Sequence, residues 1–314
     1  MFKQSFKYYK SKNPPPNLDD VLNLNKSEEL LAKSLIKPVD VYFNINEGSH
    51  YGLRKPNEWE AYEIVSKRGL IFIKNPFLSS GQRYWIKESL KEYSKKPNKL
   101  NIDPFNIVPN NTDWWDVSQT DKNILMSLRW ATLGYHHNWD SKIYSEQNKS
   151  EFPVDLKHMT EYVSSKLGFL NFSAEAAIVN YYHLDSTLSG HTDHSEENIE
   201  APLFSFSFGQ SAIFLLGGKT LDEKPTAIFL HSGDIVIMSK DSRLCYHGVP
   251  KIMKSNNEMW NGDSDYVLTN EDFSVPKDIL WRPFGSYLNH SRININVRQV
   301  LDIGQLRLNR DGML

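Results

Sequence analysis

Three observations predict an α+β fold, a double-stranded β-helix (jelly roll) core with an N-terminal helical extension packed on it. Apolar residues recur at helical spacing through much of the first half. From about residue 174 the period drops to two, and glycine-containing turns separate the short runs that follow. The 314 residues divide accordingly into a basic arm and helix (1–60), a helical and strand segment packed on the core (61–173), the jelly-roll core (174–303) and a short tail (304–314).

The helical elements come first. Phe2, Phe6 and Tyr9 recur at near-helical spacing until Pro14, Pro15 and Pro16 stop any helix. Leucines at helical spacing predict a short helix over 19–36. Residues 69–73 (GLIFI) read as a buried strand closed by Asn75 and Pro76. Ser79 or Ser80 is placed to cap a helix running through Tyr93, with Ile86, Leu90 and Tyr93 on its inner side. A further helix is expected over 155–167, where Gly168 ends it.

Strand patterns follow. Residues 204–208 (FSFSF) alternate apolar and small polar, the pattern of a half-buried strand. Gly209-Gln210 breaks it, 212–216 resumes it, and Gly217-Gly218 ends it. Residues 226–230, an HSGD turn at 231–234 and residues 235–238 predict a hairpin. A last strand is expected over 292–300. Between these, the polar and acidic stretch 251–285 predicts a surface loop.

Charge is unevenly spread. The net formal charge is −2, yet residues 1–100 hold 18 Lys and Arg against 11 Asp and Glu, about +7, which leaves about −9 for the remainder. Lys3, Lys7, Lys10 and Lys12 lie in an acid-free stretch of 18 residues. That arrangement suits neutralisation of nucleic-acid phosphates, against the plainer reading of a solvated face. Mitochondrial presequences are usually arginine-rich and this stretch has no arginine, so the nucleus and/or the cytoplasm is the expected compartment, with the mitochondrion as the alternative. Cys245 is the single cysteine, which excludes an internal disulfide and cysteine-based zinc sites. No apolar run approaches the roughly 20 residues of a membrane-spanning helix, so no membrane partner is expected.

The chemistry-bearing pattern is His191-Thr192-Asp193, with His247 further on and arginines at 292 and 298. Two imidazoles and a carboxylate form the facial triad that holds Fe(2+) and leaves coordination positions open for a co-substrate and O2. An H-x-D match alone is cheap, and a second copy stands at His183-Leu184-Asp185. Gly190 and the small polar residues around the later copy make it a strand-end loop, whereas His183 sits inside a strand. His194 and His231 read as ordinary polar residues. Arg292, Asn294, Asn296 and Arg298 share one face of the last strand, and paired guanidinium groups suit the two ends of a small diacid such as 2-oxoglutarate.

Six stretches carry a resemblance: WATLGYHHNWD (130–140), NYY (180–182), DSTL (185–188), LFSFSFGQSAIFLLGG (203–218), HSGD (231–234) and RININVR (292–298). With them the chain resembles the AlkB-type Fe(II)/2-oxoglutarate-dependent dioxygenases, in the AlkB homologue 1 branch of nucleic acid dioxygenases, over residues 50–303. The resemblance implies that His191, Asp193 and His247 bind iron. It implies that Asn180, Tyr181, Tyr182, Arg292, Asn294 and Arg298 surround 2-oxoglutarate, and that Trp115, Trp130, Tyr135, His136 and His137 lie on the substrate side.

The activity implied is oxidative demethylation of N6-methyladenine in DNA and/or 1-methyladenine or 5-methylcytosine in tRNA, with succinate, CO2 and formaldehyde released. The partner would be DNA and/or tRNA presenting an unpaired, flipped or loop-exposed base, bound by a monomer. Ser195 stands where bacterial members carry an acid, and His137 where tyrosine is expected. The stretch between Trp115 and Trp130 is too short and too little basic to expect duplex binding there. A protein (histone) demethylase of the same chemistry, an abasic-site lyase and a non-catalytic nucleic-acid-binding protein stand as alternatives.

Overall fold

The computed structural model describes residues 1–261 and 280–309, and among these two antiparallel sheets form the core. Thirteen strands build them: β1 (Ile36–Pro38), β2 (Glu60–Ile64), β3 (Leu70–Lys74), β4 (Lys99–Leu100), β5 (Trp130–Gly134), β6 (Ala176–His183), β7 (Leu188–His191), β8 (Leu203–Gly209), β9 (Ser211–Leu216), β10 (Thr226–Leu230), β11 (Ile235–Met238), β12 (His247–Met253) and β13 (Ser291–Arg298). The large sheet runs β1-β2-β3-β11-β8-β13-β6-β5-β4 and the small one β10-β9-β12-β7. Seven α-helices accompany them: α1 (Phe2–Lys10), α2 (Ser27–Ala32), α3 (Ser79–Lys87), α4 (Trp114–Ser118), α5 (Lys122–Ser127), α6 (Val154–Lys166) and α7 (Arg282–Leu288).

Apolar packing fixes the layers. Phe72, Leu203 and Met238 of the large sheet meet Phe214, Ile228 and Val249 of the small one. On its other face the large sheet buries Phe204, Phe206, Phe208 and Ile295 against Trp85, Leu156 and Phe284 of the helices. Both faces of β8 are therefore covered. Its phenylalanines fill the helical side, while Ser205 and Ser207 turn toward the space between the sheets, so the strand is buried rather than half-solvated.

Other expectations are adjusted. The helix over 19–36 shortens to a 3-10 turn at Leu24–Lys26 followed by α2, because Ile36 already pairs with Ile64 in the sheet. The helix from Ser79 has no side-chain cap and continues past α3 as a π-turn at Glu88–Glu92, keeping Ile86, Leu90 and Tyr93 buried. The helix ended by Gly168 is α6, and Gly168 adopts φ +84°. The hairpin over 226–238 does not form. β10 pairs with β9 and β11 with β3 and β8, so the HSGD turn carries the chain from one sheet to the other. The Asp234 carboxylate holds that crossing by accepting the backbone N–H groups of His231 and Asn75. β3 lies between β2 and β11, so strands from 61–173 and from 174–303 share one sheet. Of the loop expected over 251–285, residues 262–279 lie outside the described residues; 251–253 belong to β12 and 282–288 form α7.

The N-terminal segment is part of the fold. Helix α1 covers the outer face of the small sheet, where Phe2 and Tyr9 pack with Ile213, Leu215 and Ala227. Phe2 is 1% exposed, and a Cβ at Gly190 would stand 2.5 Å from its ring. We expect Phe2→Ala to lower the unfolding free energy by about 3–5 kcal/mol, the usual cost of truncating a buried phenylalanine. Denaturant titration checks this, and an unchanged midpoint would show that α1 is not docked.

Candidate metal centre

His191 ends β7 and His247 begins β12, and the two are directly paired across the strands. Their ring centroids are 4.3 Å apart. Asp193 follows two residues after His191 and brings its carboxylate 3.9 Å from His191 Nε2 and 3.6 Å from His247 Nε2. The ligand atoms of all three lie within 4.8 Å of one another. The second H-x-D copy is pulled apart: His183 is buried beside Ser291 Oγ, while Asp185 is exposed and paired with Lys12.

Local geometry prepares each imidazole. His191 Nδ1 lies 2.9 Å from the Ser189 carbonyl and His247 Nδ1 lies 3.1 Å from the Cys245 carbonyl. A carbonyl only accepts, so Nδ1 carries the proton and Nε2 is left with the free lone pair in both rings. Burial, with His247 beside it, pushes the His191 imidazole down to about 4 and so keeps it neutral. Burial would raise the Asp193 carboxyl, but the Arg298 guanidinium and then His247 hold it well below the usual carboxylate range. Two imidazole nitrogens and one carboxylate oxygen are the donor set that fits Fe(II).

The arginines divide their work rather than forming a symmetrical clamp. Arg292 is 1% exposed at the back of the inter-sheet cavity, where its guanidinium donates to Ser207 Oγ (2.7 Å) and to the Gln210 carbonyl (3.3 Å). Its Nε has no partner, and no carboxylate comes within ion-pair distance among the described residues. Burial pushes this guanidinium down to about 10. A buried cation so placed fits the carboxylate of 2-oxoglutarate. Tyr182 and Asn294 line the same cavity, and Asn180 opens onto the neighbouring cleft. Arg298 is engaged elsewhere: its Nη2 lies 2.9 Å from Asp193 Oδ1, and its Nη1 donates to Tyr144 Oη at 3.2 Å. It braces the Asp193 carboxylate.

Strand alternation removes Tyr181 from the cofactor site. Its neighbours on β6 face the cavity, while its own hydroxyl donates to the Ser89 carbonyl on the helical side. The expected substrate-side residues separate in the same way. His137 lines a cleft of about 590 Å³ above the triad. Trp130 is half-buried behind it, with its ring 5.1 Å from Trp139. Trp115 is stacked on Phe284 in the core. Tyr135 is held by Glu146, and His136 by Thr132. These three line no part of the cleft.

Four further residues complete the site, one inside the 130–140 stretch and three outside the motifs. Trp139, 46% exposed, packs edge-on against His137 at 4.7 Å. It stands two positions beyond His137 in the same stretch and is open to the same reasoning. Tyr144, Glu196 and Arg243 surround Arg298 and Asp193 from three separate segments.

Residues 69–298 match the family model of the 2OG-Fe(II) oxygenase superfamily. The chain is 40% identical to the mouse and human proteins named nucleic acid dioxygenase ALKBH1, over 97% of its own length and 85% of theirs. It is 36% identical to the tRNA demethylase abh1 of Schizosaccharomyces pombe, over 74% of this chain and 79% of that one. It is 30% identical to the Arabidopsis thaliana DNA N(6)-methyladenine demethylase ALKBH1A, over 95% and 92%.

The depressed His191 predicts the pH dependence of metal binding. Metal competes with protons for Nε2, and a free imidazole would begin to lose that competition near pH 6.5. Here His191 stays neutral until the pH approaches about 4. At His191 itself proton competition should therefore set in only well below the ordinary histidine range, followed in metal-free protein by NMR of its ring nitrogens. A midpoint near the ordinary value would show that the imidazole is not shielded. With the family model matched over residues 69–298 and 40% identity across nearly the whole chain to proteins named ALKBH1, the chain belongs to the 2OG-Fe(II) oxygenase superfamily, in its AlkB homologue 1 branch.

Proposed function

We infer that this chain is an Fe(II)- and 2-oxoglutarate-dependent dioxygenase that removes methyl groups oxidatively from nucleic-acid bases. The carrying observation is a cleft that two triad residues, His191 and Asp193, share with a packed pair of flat rings, His137 and Trp139. Bound Fe(II) and 2-oxoglutarate supply the oxidising power with which O2 hydroxylates an N-methyl carbon, and the hydroxymethyl group leaves as formaldehyde. The protein's part is placement. His191, Asp193 and His247 hold the iron, and Arg292, with Tyr182 and Asn294 beside it, neutralises a carboxylate of 2-oxoglutarate.

His137 is kept neutral by burial and by Arg298, which push it down to about 4. It therefore offers a ring face rather than a cation. Base–aromatic stacking of this kind is worth about 1–3 kcal/mol per base. A base stacked inside a duplex cannot reach into the cleft, so the substrate is an unpaired, flipped or loop-exposed base in DNA or RNA. Relatives named for tRNA, DNA N(6)-methyladenine and N6-methyladenosine RNA support that range.

The side chains of Lys3, Lys7, Lys10 and Lys12 are exposed, and α1, which carries the first three, rests against β12 and β7, the strands that hold His247 and His191. Lys3, Lys7 and Lys10 supply phosphate contacts on this face, while Lys12 is paired with Asp185. Because Phe2 is in the core, charge-only variants test this better than truncation. Replacing Lys3, Lys7 and Lys10 by glutamine should weaken oligonucleotide binding and make the slope of log affinity against log salt shallower, by about one for each phosphate no longer neutralised. Turnover of 2-oxoglutarate without nucleic acid should not change.

The deciding experiment supplies Fe(II), 2-oxoglutarate and O2 with a panel of methylated oligonucleotides and follows succinate together with strand mass. Wild type should strip one methyl group from a modified strand, and Asp193→Ala should not. Trp139→Ala should raise KM for that strand by a factor matching the stacking energy above while leaving succinate formation without nucleic acid intact. Succinate without any change in strand mass would redirect the reading to a peptide substrate.

A further inference from the structure

Behind the metal carboxylate lies a closed circuit of buried charge. Arg298 Nη2 is 2.9 Å from Asp193 Oδ1, and Arg298 Nε is 3.4 Å from Glu196 Oε1. Glu196 Oε2 in turn lies 3.0 Å from Arg243 Nη2. Arg243 closes the circuit on the main chain: its Nη1 donates to the Asp193 carbonyl at 2.7 Å and its Nε to the Ala201 carbonyl at 2.8 Å. The Glu196 side chain is 0% exposed and that of Arg243 3%. The circuit joins the end of β13, the loop after β7 and the 3-10 turn at Lys240–Ser242 that precedes β12.

Each member answers a need of the next. A guanidinium on a ligating carboxylate draws negative charge away from the metal, and Glu196 shares that pull from the opposite edge of Arg298. Glu196 would itself be an uncompensated buried anion without Arg243. The planar fork of Arg243 serves two carbonyls and a carboxylate from three separate nitrogens, whereas an ammonium must direct its three donors from one atom. Those acceptors span residues 193–201, so Arg243 fixes the backbone from which the metal carboxylate projects.

We propose that Arg243 is a positioning residue for the metal ligand Asp193, acting directly on its main chain and, through Glu196, on Arg298. This rests on the metal centre described above, and it adds a supporting layer that the triad alone does not specify.

The test is cobalt(II) titration of metal-free, full-length protein, read by affinity and by the visible d–d band, with thermal unfolding measured alongside. Arg243→Met and Glu196→Gln should each weaken cobalt(II) binding about 10- to 100-fold and alter the band. Arg243→Lys, which keeps the charge but not the fork, should fall between them and wild type. Arg243→Met is the variant most at risk of failing to fold, and Glu196→Gln and Arg243→Lys then carry the same reading. Wild-type affinity and an unchanged band in any cooperatively unfolding member of the three would overturn the proposal. The assay contains no nucleic acid, so its outcome is independent of which base is demethylated. Failure of wild type to bind cobalt(II) would instead sink the metal reading itself.

Discussion

The constraint on which the site depends is that the chain crosses between the two sheets. From β6 onward successive strands alternate between the large and the small sheet, with the β9–β10 hairpin as the exception. Neither sheet holds the chemistry alone. β7 and β12 of the small sheet present the imidazoles, while β13 of the large sheet presents the arginines. Only the space between the layers brings them together, and that space is held open at one end by polar side chains and sealed elsewhere by Phe214, Leu203 and Val249.

Local signals reveal most of the elements because period and turn chemistry act over a few residues. β8, β9, β11 and α6 are legible from alternation, glycines and helical spacing. The choice of partners is not. An HSGD turn between two apolar runs is locally indistinguishable from a hairpin, and only the competition of β9 for β10, and of β3 and β8 for β11, sends the two runs to different sheets. The alternating FSFSF run shows the same limit, since a polar position can face an inter-sheet cavity as well as water.

The site divides along the same line. His191 and Asp193 are neighbours in sequence and can be found by spacing, and Arg292 and Arg298 by their shared strand face. The family stretch draws Tyr181 in with Asn180 and Tyr182, although alternation alone excludes it. Glu196 and Arg243 carry no local signal, because what defines them is the burial of opposite charges brought together from segments about 50 residues apart in sequence. In a low-dielectric interior such groups constrain one another strongly, and a linear pattern does not record that.

β13 is flanked by β6 on one side and β8 on the other, at the middle of the large sheet, yet it is synthesised after every other described strand. On a ribosome, β6 and β8 therefore emerge as two open edges waiting for a partner that arrives more than 80 residues later than β8. Unpaired edges of that kind are where chains associate with their neighbours. The strand that brings Arg292 and Arg298 into the space between the sheets is also the one that closes these two edges.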